Sequence, residues 1–346
     1  MLVKSIYFLN KLCLQTPFFE GKAHFKGKVV LFLKKILCIG SVTTDVIVTP
    51  ADTIPTPGTL RYVDSVSTHV GGCASNAAID LAKLGVPVAL ACKVGEDNFG
   101  TFVRSEAAAA GVDVSGVVSD PSVSTTVSIV CISSTGERSF LYNPGSTSAF
   151  TKADIPEALV DECDIIFVAG AMLLTSFDGK PCAEFMKECQ EKGKYTVMDT
   201  AWDSEDVWMP KVQEVLPYLD LFMPSIEEAA RLTGEEDPNR IADRFFAMGV
   251  KNVIVKWGKH GALVCPAGGE RMVLPTYLDF KPVDTTGAGD SFCAGFLAGL
   301  AQGWDYRRSG EFANAVGTHC ILAIGASTGI KSIEETLAFM ETHTAG

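Results

Sequence analysis

Short apolar runs alternate with helix-like segments along most of this chain, and that alternation restricts the folds open to it. Residues 36–40 form an apolar run that ends in glycine, as a strand buried on both faces does. Residues 76–84 carry apolar side chains at helical spacing and stop at Gly85. The pattern continues with strands predicted at 88–92, 164–168, 195–198, 221–223 and 252–256, and helices at 98–110, 181–192, 227–233, 239–248, 291–301 and 310–324. It predicts the α/β class, with a central, mostly parallel sheet and helices on both faces.

Two segments depart from this alternation. Residues 45–70 and 124–142 are rich in β-branched side chains and contain turn signals at 57–58 and 135–136. Hairpin-like insertions of this kind predict a small β lid over the carboxyl edge of the main sheet.

The first 35 residues differ in charge from the rest of the chain. They hold seven lysines and one acid, Glu20, whereas the whole chain has a formal net charge of −12. Their apolar runs are too short for a transmembrane helix, and they lack the apolar core and cleavage site of a secretory signal. We predict that residues 1–34 are an extension that is disordered or lies outside the fold, and that residues 35–346 form one domain that includes the lid.

Charge and cysteine content limit the partners of this chain. An acidic surface repels nucleic acid and anionic membranes, so neither is predicted as a partner. The 11 cysteines form no C-x-x-C pair and the five histidines are scattered, so spacing indicates no metal site of cysteine and histidine. Thiols packed as small apolar groups are typical of a reducing compartment, which predicts a cytoplasmic location.

The strongest local signal lies at residues 284–290, which read Asp-Thr-Thr-Gly-Ala-Gly-Asp before an apolar helical run. Glycines just before a helix let backbone N–H groups converge on an anion, and the helix dipole adds positive potential there. Asp290, in the first turn, could accept the proton of an attacking hydroxyl. On its own, the same residue is also an ordinary first-turn acid favoured by the dipole.

This string resembles the second signature of the ribokinase-like sugar kinases, also called the phosphofructokinase-B family. Residues 70–78, Val-Gly-Gly-Cys-Ala-Ser-Asn-Ala-Ala, resemble the first signature, and the likeness extends over about residues 36–328. The resemblance implies a ribokinase-like fold. It also implies an ATP-dependent kinase that phosphorylates a hydroxyl of a small sugar or sugar-like substrate.

The resemblance implies a role for single residues on the side of the sugar. Asp290 would be the general base. The anion hole for the γ-phosphate would be formed by Gly287, Ala288 and Gly289. Four residues would contact the sugar: Asp45, Gly71, Gly72 and Asn76.

On the side of the nucleotide, the resemblance implies ATP, Mg²⁺ and, as in some relatives, a monovalent cation such as K⁺ near Asp284. The Asn-x-x-Glu motif of the family matches residues 225–228, so Glu228 is the predicted metal residue even though Ser225 replaces the asparagine. Four residues would border the nucleotide: Lys256, Gly258, Gly261 and Asn314.

Several positions bear on the substrate. Acid-sugar kinases of the family carry an arginine where this chain has Asp203, which would repel a carboxylate. Arg104 or Arg138 could serve an acidic substrate by another route, and the lid offers only Arg61 and Arg138 for a phosphorylated one. A neutral sugar or polyol is therefore the first prediction.

Two alternatives remain open. One is a nucleoside kinase of the same fold, in which Trp202 or Tyr142 would stack on a base. The other is a catalytically weak relative that binds nucleotide or sugar, for which the serine at 225 is the argument. We also predict that the lid pairs with a second copy of the chain, because a small sheet gains from burying its apolar face.

Overall fold

The computed structural model describes residues 22–25, 28–31 and 33–346. These residues contain fifteen strands: β1 (Lys22–Phe25), β2 (Lys28–Leu31), β3 (Ile36–Gly40), β4 (Thr43–Thr49), β5 (Ser65–Gly71), β6 (Val88–Gly95), β7 (Asp113–Asp120), β8 (Val127–Ile132), β9 (Arg138–Asn143), β10 (Ile165–Ala171), β11 (Tyr195–Thr200), β12 (Leu221–Phe222), β13 (Val253–Lys256), β14 (Ala262–Cys265) and β15 (Met272–Leu274).

The described residues also contain ten α-helices: α1 (Cys73–Lys83), α2 (Asn98–Ala109), α3 (Gly145–Ser148), α4 (Glu157–Glu162), α5 (Lys180–Glu191), α6 (Ile226–Thr233), α7 (Pro238–Ala247), α8 (Ala288–Ala301), α9 (Tyr306–Ile321) and α10 (Ile333–Thr342).

Nine strands form the main sheet, in the order β15-β14-β13-β12-β11-β10-β3-β6-β7. From β13 to β7 every neighbouring pair is parallel, whereas β14 and β15 are added antiparallel at one edge. The predicted α/β class with a mostly parallel sheet is therefore confirmed. Because the strands of a parallel sheet all end at one edge, this topology gathers the segments that follow them.

Strand β3 explains why the central strands are apolar along their whole length. Successive side chains point to opposite faces of a sheet, so Ile36 and Cys38 pack into one hydrophobic core while Leu37 and Ile39 pack into the other. The first core includes Phe296 on α8. The second core is covered by helices on the other face, including α5 and α7.

The predicted lid is a separate four-stranded sheet in the order β5-β4-β8-β9. Strand β4 pairs antiparallel with β5 and parallel with β8, and β8 pairs antiparallel with β9. Thr43, the first residue of β4, pairs with Gly71, the last residue of β5. Since α1 begins two residues after Gly71, the lid is joined directly to the first glycine-containing motif.

The predicted extension falls largely outside the described residues. Strands β1 and β2 pair antiparallel as a sheet of their own. The backbone N–H of Lys34 donates to the carbonyl of Ala301 at 3.5 Å. The expectation that residues 1–34 lie outside the fold stays a prediction. In the part of the chain that the structure describes, none of the helices has the length and apolar character needed to cross a membrane.

Candidate active site

Two helix N-termini that are far apart in sequence meet at the carboxyl edge of the main sheet. Helix α1 follows Gly72 and helix α8 follows Gly287. The Nδ2 of Asn76 donates a hydrogen bond of 2.8 Å to Oδ2 of Asp290, across 214 residues of sequence. The structure thus brings the two predicted motifs into one site.

Both glycines that precede these helices are required by the backbone. Gly72 has φ of 96° and Gly287 has φ of 77°, values that side chains rarely tolerate. A Cβ at Gly72 would lie 2.6 Å from the Cα of Val42, and one at Gly287 would lie 2.5 Å from the Cβ of Ala326. Neither position has room for a side chain, so both turns require glycine. At the start of α1 the N–H groups of Cys73 and Ala74 already donate to Ser41.

Asp45 lies directly against the first glycine motif. A Cβ on Gly71 would come within 2.2 Å of Oδ2 of Asp45, so glycine makes room for this carboxylate. Burial and, to a lesser extent, the negative charge of Asp290 together raise the pKa of Asp45 to about 6. The predicted sugar ligand and the predicted base are therefore close enough to repel each other.

The carboxylate of Asp290 lies among partners that act in opposite directions. Burial raises the pKa of Asp290 above its ordinary value, and the charge of Glu228 raises it as well. The hydrogen bond from Asn76, the charge of Lys256 and a hydrogen bond with Cys73 act against that rise. A carboxylate with a raised pKa is a better proton acceptor than an exposed one.

Lys256 forms a buried ion pair beneath the second motif. Its Nζ donates to Oδ2 of Asp199 at 2.6 Å, and the side chains of the two residues are 12% and 1% exposed. The thiol of Cys293 donates to the same carboxylate oxygen at 3.3 Å. A Cβ on Gly289 would lie 3.3 Å from the lysine Nζ, so the ammonium lies against the predicted anion hole.

Glu228 is fixed by a helix cap and by a strand end. Ser225 accepts a hydrogen bond from the N–H of Glu228 at 3.3 Å and donates its own N–H to Oε2 of Glu228 at 3.0 Å. Thr200 donates its hydroxyl to the same oxygen at 2.8 Å. The serine that replaces the family asparagine therefore orients the glutamate.

The residues present fit Mg²⁺ only if water and the substrate phosphates supply most of its ligands. Among the described residues, no group of three or more Asp, Glu, His or Cys side chains is arranged to hold a metal ion. Mg²⁺ commonly keeps water ligands and binds through one or two carboxylates together with substrate phosphates. Glu228 and Asp290, close enough for their charges to interact, fit that arrangement.

The residues predicted to border the nucleotide have structural partners of their own. Gly258 and Gly261 form the turn between β13 and β14, and a Cβ on Gly261 would lie 1.9 Å from the carbonyl oxygen of Leu274. The Nδ2 of Asn314 donates to the carbonyls of Leu274 and Pro275 at 3.0 Å each. Any nucleotide contact by Asn314 would thus use another atom, while Gly258 faces open space.

The strand register of the lid places four polar residues in one row. His69 pairs with Asp45, Asp45 with Ser128, and Ser128 with Tyr142. Paired residues of neighbouring strands share a face of the sheet, so all four lie on the face that Asp45 presents to Gly71. Burial raises the pKa of Tyr142 to about 12, with the nearby charge of Asp45 as a further cause.

The arginines and the acid considered for substrate binding all have partners within the chain. Arg138 pairs with Asp284 at 2.8 Å, and Arg61 pairs with Asp52 at 3.3 Å. Arg104 donates to the backbone carbonyls of Val114 and Val117.

Asp203 does not have the role that the sequence suggested. It is 2% exposed and accepts from Lys211 at 2.7 Å and from the backbone N–H groups of Val207 and Trp208. A carboxylate satisfied within its own loop repels no substrate, so the argument drawn from this position against an acidic sugar is lost.

Sequence reasoning missed three residues that lie in or behind the site. Asp199 and Cys293 surround Lys256, and Asp80, which is fully buried on α1, accepts from the hydroxyl of Ser291 at 2.6 Å. For Asp199 and Asp80 the signal available was an acid in an otherwise apolar strand or helix, since buried carboxylates need partners. Cys293 offered no such signal.

Comparison with known proteins assigns the family. Residues 33–333 match the pfkB family carbohydrate kinase, and the chain belongs to that family. It is therefore a carbohydrate kinase with the ribokinase-like fold, as the two motifs predicted.

Individual relatives extend this result. A 2-dehydro-3-deoxygluconokinase of Bacillus subtilis is 29% identical over 292 residues, which is 82% of this chain and 90% of that protein. Ribokinase of the same organism is 28% identical over 314 residues, which cover 88% of this chain and 100% of that protein. An E. coli protein assigned as a ribokinase II, solved with ATP and Mg²⁺, superposes with a TM-score of 0.77 at 26% identity, covering 90% of this chain and 100% of that chain.

Proposed function

We propose that this chain transfers the γ-phosphoryl group of ATP to a hydroxyl of a small neutral sugar or polyol, with Asp290 as the general base. The observation that carries the proposal is the 2.8 Å hydrogen bond between Asn76 and Asp290. It joins a helix start suited to hydroxyl groups with a helix start suited to an anion. Phosphoryl transfer needs these two groups side by side, with a base at the acceptor oxygen.

Asp290 would take the proton of the attacking hydroxyl as the new O–P bond forms. Its raised pKa and its place in the first turn of α8 support this role. The N–H groups at Gly287, Ala288 and Gly289 would hold the transferred phosphate. ADP would leave with the electron pair of the broken bond.

ATP and Mg²⁺ are proposed as the nucleotide and the metal of this site. The related E. coli structure contains both. Mg²⁺, when bound, neutralises charge on the phosphates, and Glu228 would hold it, either directly or through water. Lys256, Gly258, Gly261 and Asn314 are proposed along the nucleotide, with Lys256 at the phosphate end because its ammonium lies against Gly289.

The substrate proposal depends on the groups that remain open to a ligand. Among the described residues, the buried Oδ1 of Asn76 has no hydrogen-bond partner, and a sugar hydroxyl would satisfy it. Asp45, Gly71 and Gly72 would contribute further contacts to hydroxyls. Arg61 and Arg138 are already paired with acids, which favours an uncharged substrate over a sugar acid or a sugar phosphate.

The test is ATP consumption by the purified protein across neutral sugars, polyols, sugar acids and nucleosides. We expect turnover with a neutral sugar or polyol, and turnover slower by about 10²–10⁴-fold in the Asp290→Asn variant. Turnover with nucleosides alone would select the nucleoside kinase, for which the 55% exposed Trp202 near the site is the argument. Binding of nucleotide without turnover on any substrate would select the weak relative.

Three further predictions belong to this proposal. The lid is proposed to pair with a second copy, supported by its exposed apolar residues Val66, Phe140 and Leu141, and a strict monomer in light scattering would contradict it.

A monovalent cation such as K⁺ near Asp284 is tested by replacing K⁺ with tetramethylammonium in the assay. A cytoplasmic location is proposed from the thiol-rich sequence.

A further inference from the structure

The ion pair between Asp199 and Lys256 joins two strand ends to the glycine-rich turn. Asp199 lies near the end of β11 and Lys256 ends β13, with β12 between them in the sheet. Cys293, one turn into α8, touches both: its sulfur lies 3.7 Å from the lysine Nζ and 3.3 Å from the carboxylate oxygen. The ammonium is therefore fixed from two sides and faces Gly289 on a third.

Burial of this ion pair lowers the stability that the fold would gain from an apolar pair of similar volume. A lysine and an aspartate removed from water lose much of their hydration free energy, and a well-packed apolar pair is often as stable. Burial works against the charge of Lys256, but the adjacent Asp199 carboxylate raises the pKa of the lysine above its ordinary value. The geometry of the pair therefore favours a charged ammonium beneath the turn.

The position of that cation favours one stage of the reaction. Its charge acts on Asp290, which lies one residue after Gly289 and is the proposed base. It thus lies at the end of the anion hole where the phosphoryl group and the acceptor hydroxyl would meet. As a pair, Asp199 and Lys256 carry no net charge, so they add orientation more than general attraction for an anionic nucleotide.

We propose that Asp199 is a positioning residue that, with Cys293, holds the Lys256 ammonium under Gly289 so that its charge stabilises the phosphoryl group during transfer rather than the bound nucleotide. This inference rests on the proposed kinase function. It makes the pair a device that acts on kcat and leaves ground-state nucleotide affinity almost unchanged.

The test compares Asp199→Asn with the wild-type full chain in three measurements. These are kcat on the best substrate of the screen, the Kd of a non-hydrolysable ATP analogue with Mg²⁺, and the Kd of ADP with aluminium fluoride. We expect kcat to fall about 10²-fold, as for loss of one donor to a transition-state anion. The fluoride complex should weaken by a similar factor, while the ATP analogue binds within about threefold of wild type.

Asp203→Asn is the matched control. Asp203 pairs with Lys211 at 2.7 Å, and their side chains are 1% and 14% exposed, nearly the same burial as the proposed pair. The Asp203→Asn change should lower the melting temperature. It should have little effect on the ratio between the Kd of the ATP analogue and the Kd of ADP with aluminium fluoride. If Asp199→Asn does no more than this control, the pair is structural and the proposal is wrong.

A second variant keeps the test decisive if Asp199→Asn fails to fold. The double change Asp199→Leu with Lys256→Met removes both charges together, which buried pairs tolerate better than loss of one partner. It should lose the same factor in kcat and in fluoride-complex affinity. Near-normal turnover, or parallel loss of ATP-analogue binding, would overturn the proposal. If the wild type turns over no substrate, the kinase function fails, and the two binding measurements still decide the role of the pair.

Discussion

Arg138 on lid strand β9 donates to the carboxylate of Asp284 at 2.8 Å, although 146 residues separate them in sequence. A second nitrogen of the guanidinium donates to the hydroxyl of Thr286, also at 2.8 Å. The N–H of Thr286 donates to the same oxygen of Asp284, and the N–H of Gly325 donates to the other oxygen. The lid is thus fastened to the segment that contains the anion hole.

This contact predicts that Arg138→Met opens the lid. A hydrogen bond to a charged group contributes about 1.5–3 kcal/mol, so the closed form should lose at least about tenfold in population. We expect kcat/KM to fall by about that factor and hydrogen exchange along Arg138–Asn143 to become faster. Arg61→Met is the control, because the polar partners of Arg61, Asp52 and Thr53, both lie within the lid region. Equal exchange in the two variants would mean that the pair does not hold the lid.

The pKa of Asp45 predicts how sugar binding depends on pH. Burial, with the charge of Asp290, raises that pKa to about 6. An ionised carboxylate accepts two hydroxyl hydrogen bonds, whereas a protonated one must donate, so KM for the sugar should rise as pH falls through about 6.

A loss of folding stability at low pH would not explain this rise in KM. A carboxyl whose pKa is higher in the folded than in the unfolded state binds more protons when folded, so its contribution to stability increases as pH falls through that interval. In Asp45→Asn, KM should be high throughout and no longer vary near pH 6. Asp64→Asn, at an exposed position near the lid, should keep the wild-type pH profile. A wild-type KM that stays constant through this range would contradict the sugar-binding role.

The fold was largely predictable where a strand lies between two helical layers. Ile36–Gly40 is wholly buried, so its sequence is a continuous apolar run that few other structures allow. Strand Asp113–Asp120 was missed because it is an edge strand with polar residues at half-exposed positions, and Met272–Leu274 because it has only three residues. Helix Ile333–Thr342 was missed even though the capping box of Ser332 was readable.

Site residues that belong to one sequence motif could be predicted. Residues that meet only because of the order of strands in the sheet could not. Asp290 and Asn76 belong to two strings whose residue types already indicate an anion and a hydroxyl ligand. The partner of Lys256 could not be predicted, because Asp199 reaches it only when β11, β12 and β13 lie in that order. Asp203 was misjudged for a related reason, since a sequence does not reveal that a loop satisfies its own acid.

The turn before α8 predicts a specific effect of a methyl group. Gly287→Ala would place a Cβ 2.5 Å from that of Ala326 at a φ of 77°. Gly85→Ala is the matched control, because Gly85 has a φ of 78° and nothing lies within 4 Å of its Cβ position. The control should cost about 1–2 kcal/mol from its backbone alone.

Gly287→Ala should cost more, because the turn must move, and it should weaken nucleotide binding by displacing the N–H groups of the anion hole. Chemical denaturation gives the first quantity, and calorimetric titration of a non-hydrolysable ATP analogue gives the second. Equal stability and equal affinity for the ATP analogue in the two variants would show that this turn takes no part in binding the nucleotide.

The most informative single change is Asp290→Asn, which keeps the shape of the side chain and removes the proton acceptor. Loss of a general base usually costs about 10²–10⁴-fold in rate, so kcat should fall by that factor with a modest change in KM. The anion hole is backbone and the sugar contacts lie on other residues, so both ligands should still bind. Because burial disfavours the charged form of Asp290, the variant should melt no lower than the wild type.

Glu334→Gln separates this role from that of an ordinary first-turn acid. Glu334 lies in the first turn of α10, as Asp290 does in α8, so both substitutions remove one favourable charge from a helix N-terminus. A dipole effect alone predicts a loss of at most about 1 kcal/mol of stability in each variant and no kinetic difference between them. We expect instead that turnover is unchanged in Glu334→Gln and that kcat falls strongly in Asp290→Asn. Near-normal turnover in Asp290→Asn would remove the general base from the mechanism, and the binding-only relative would become the better description.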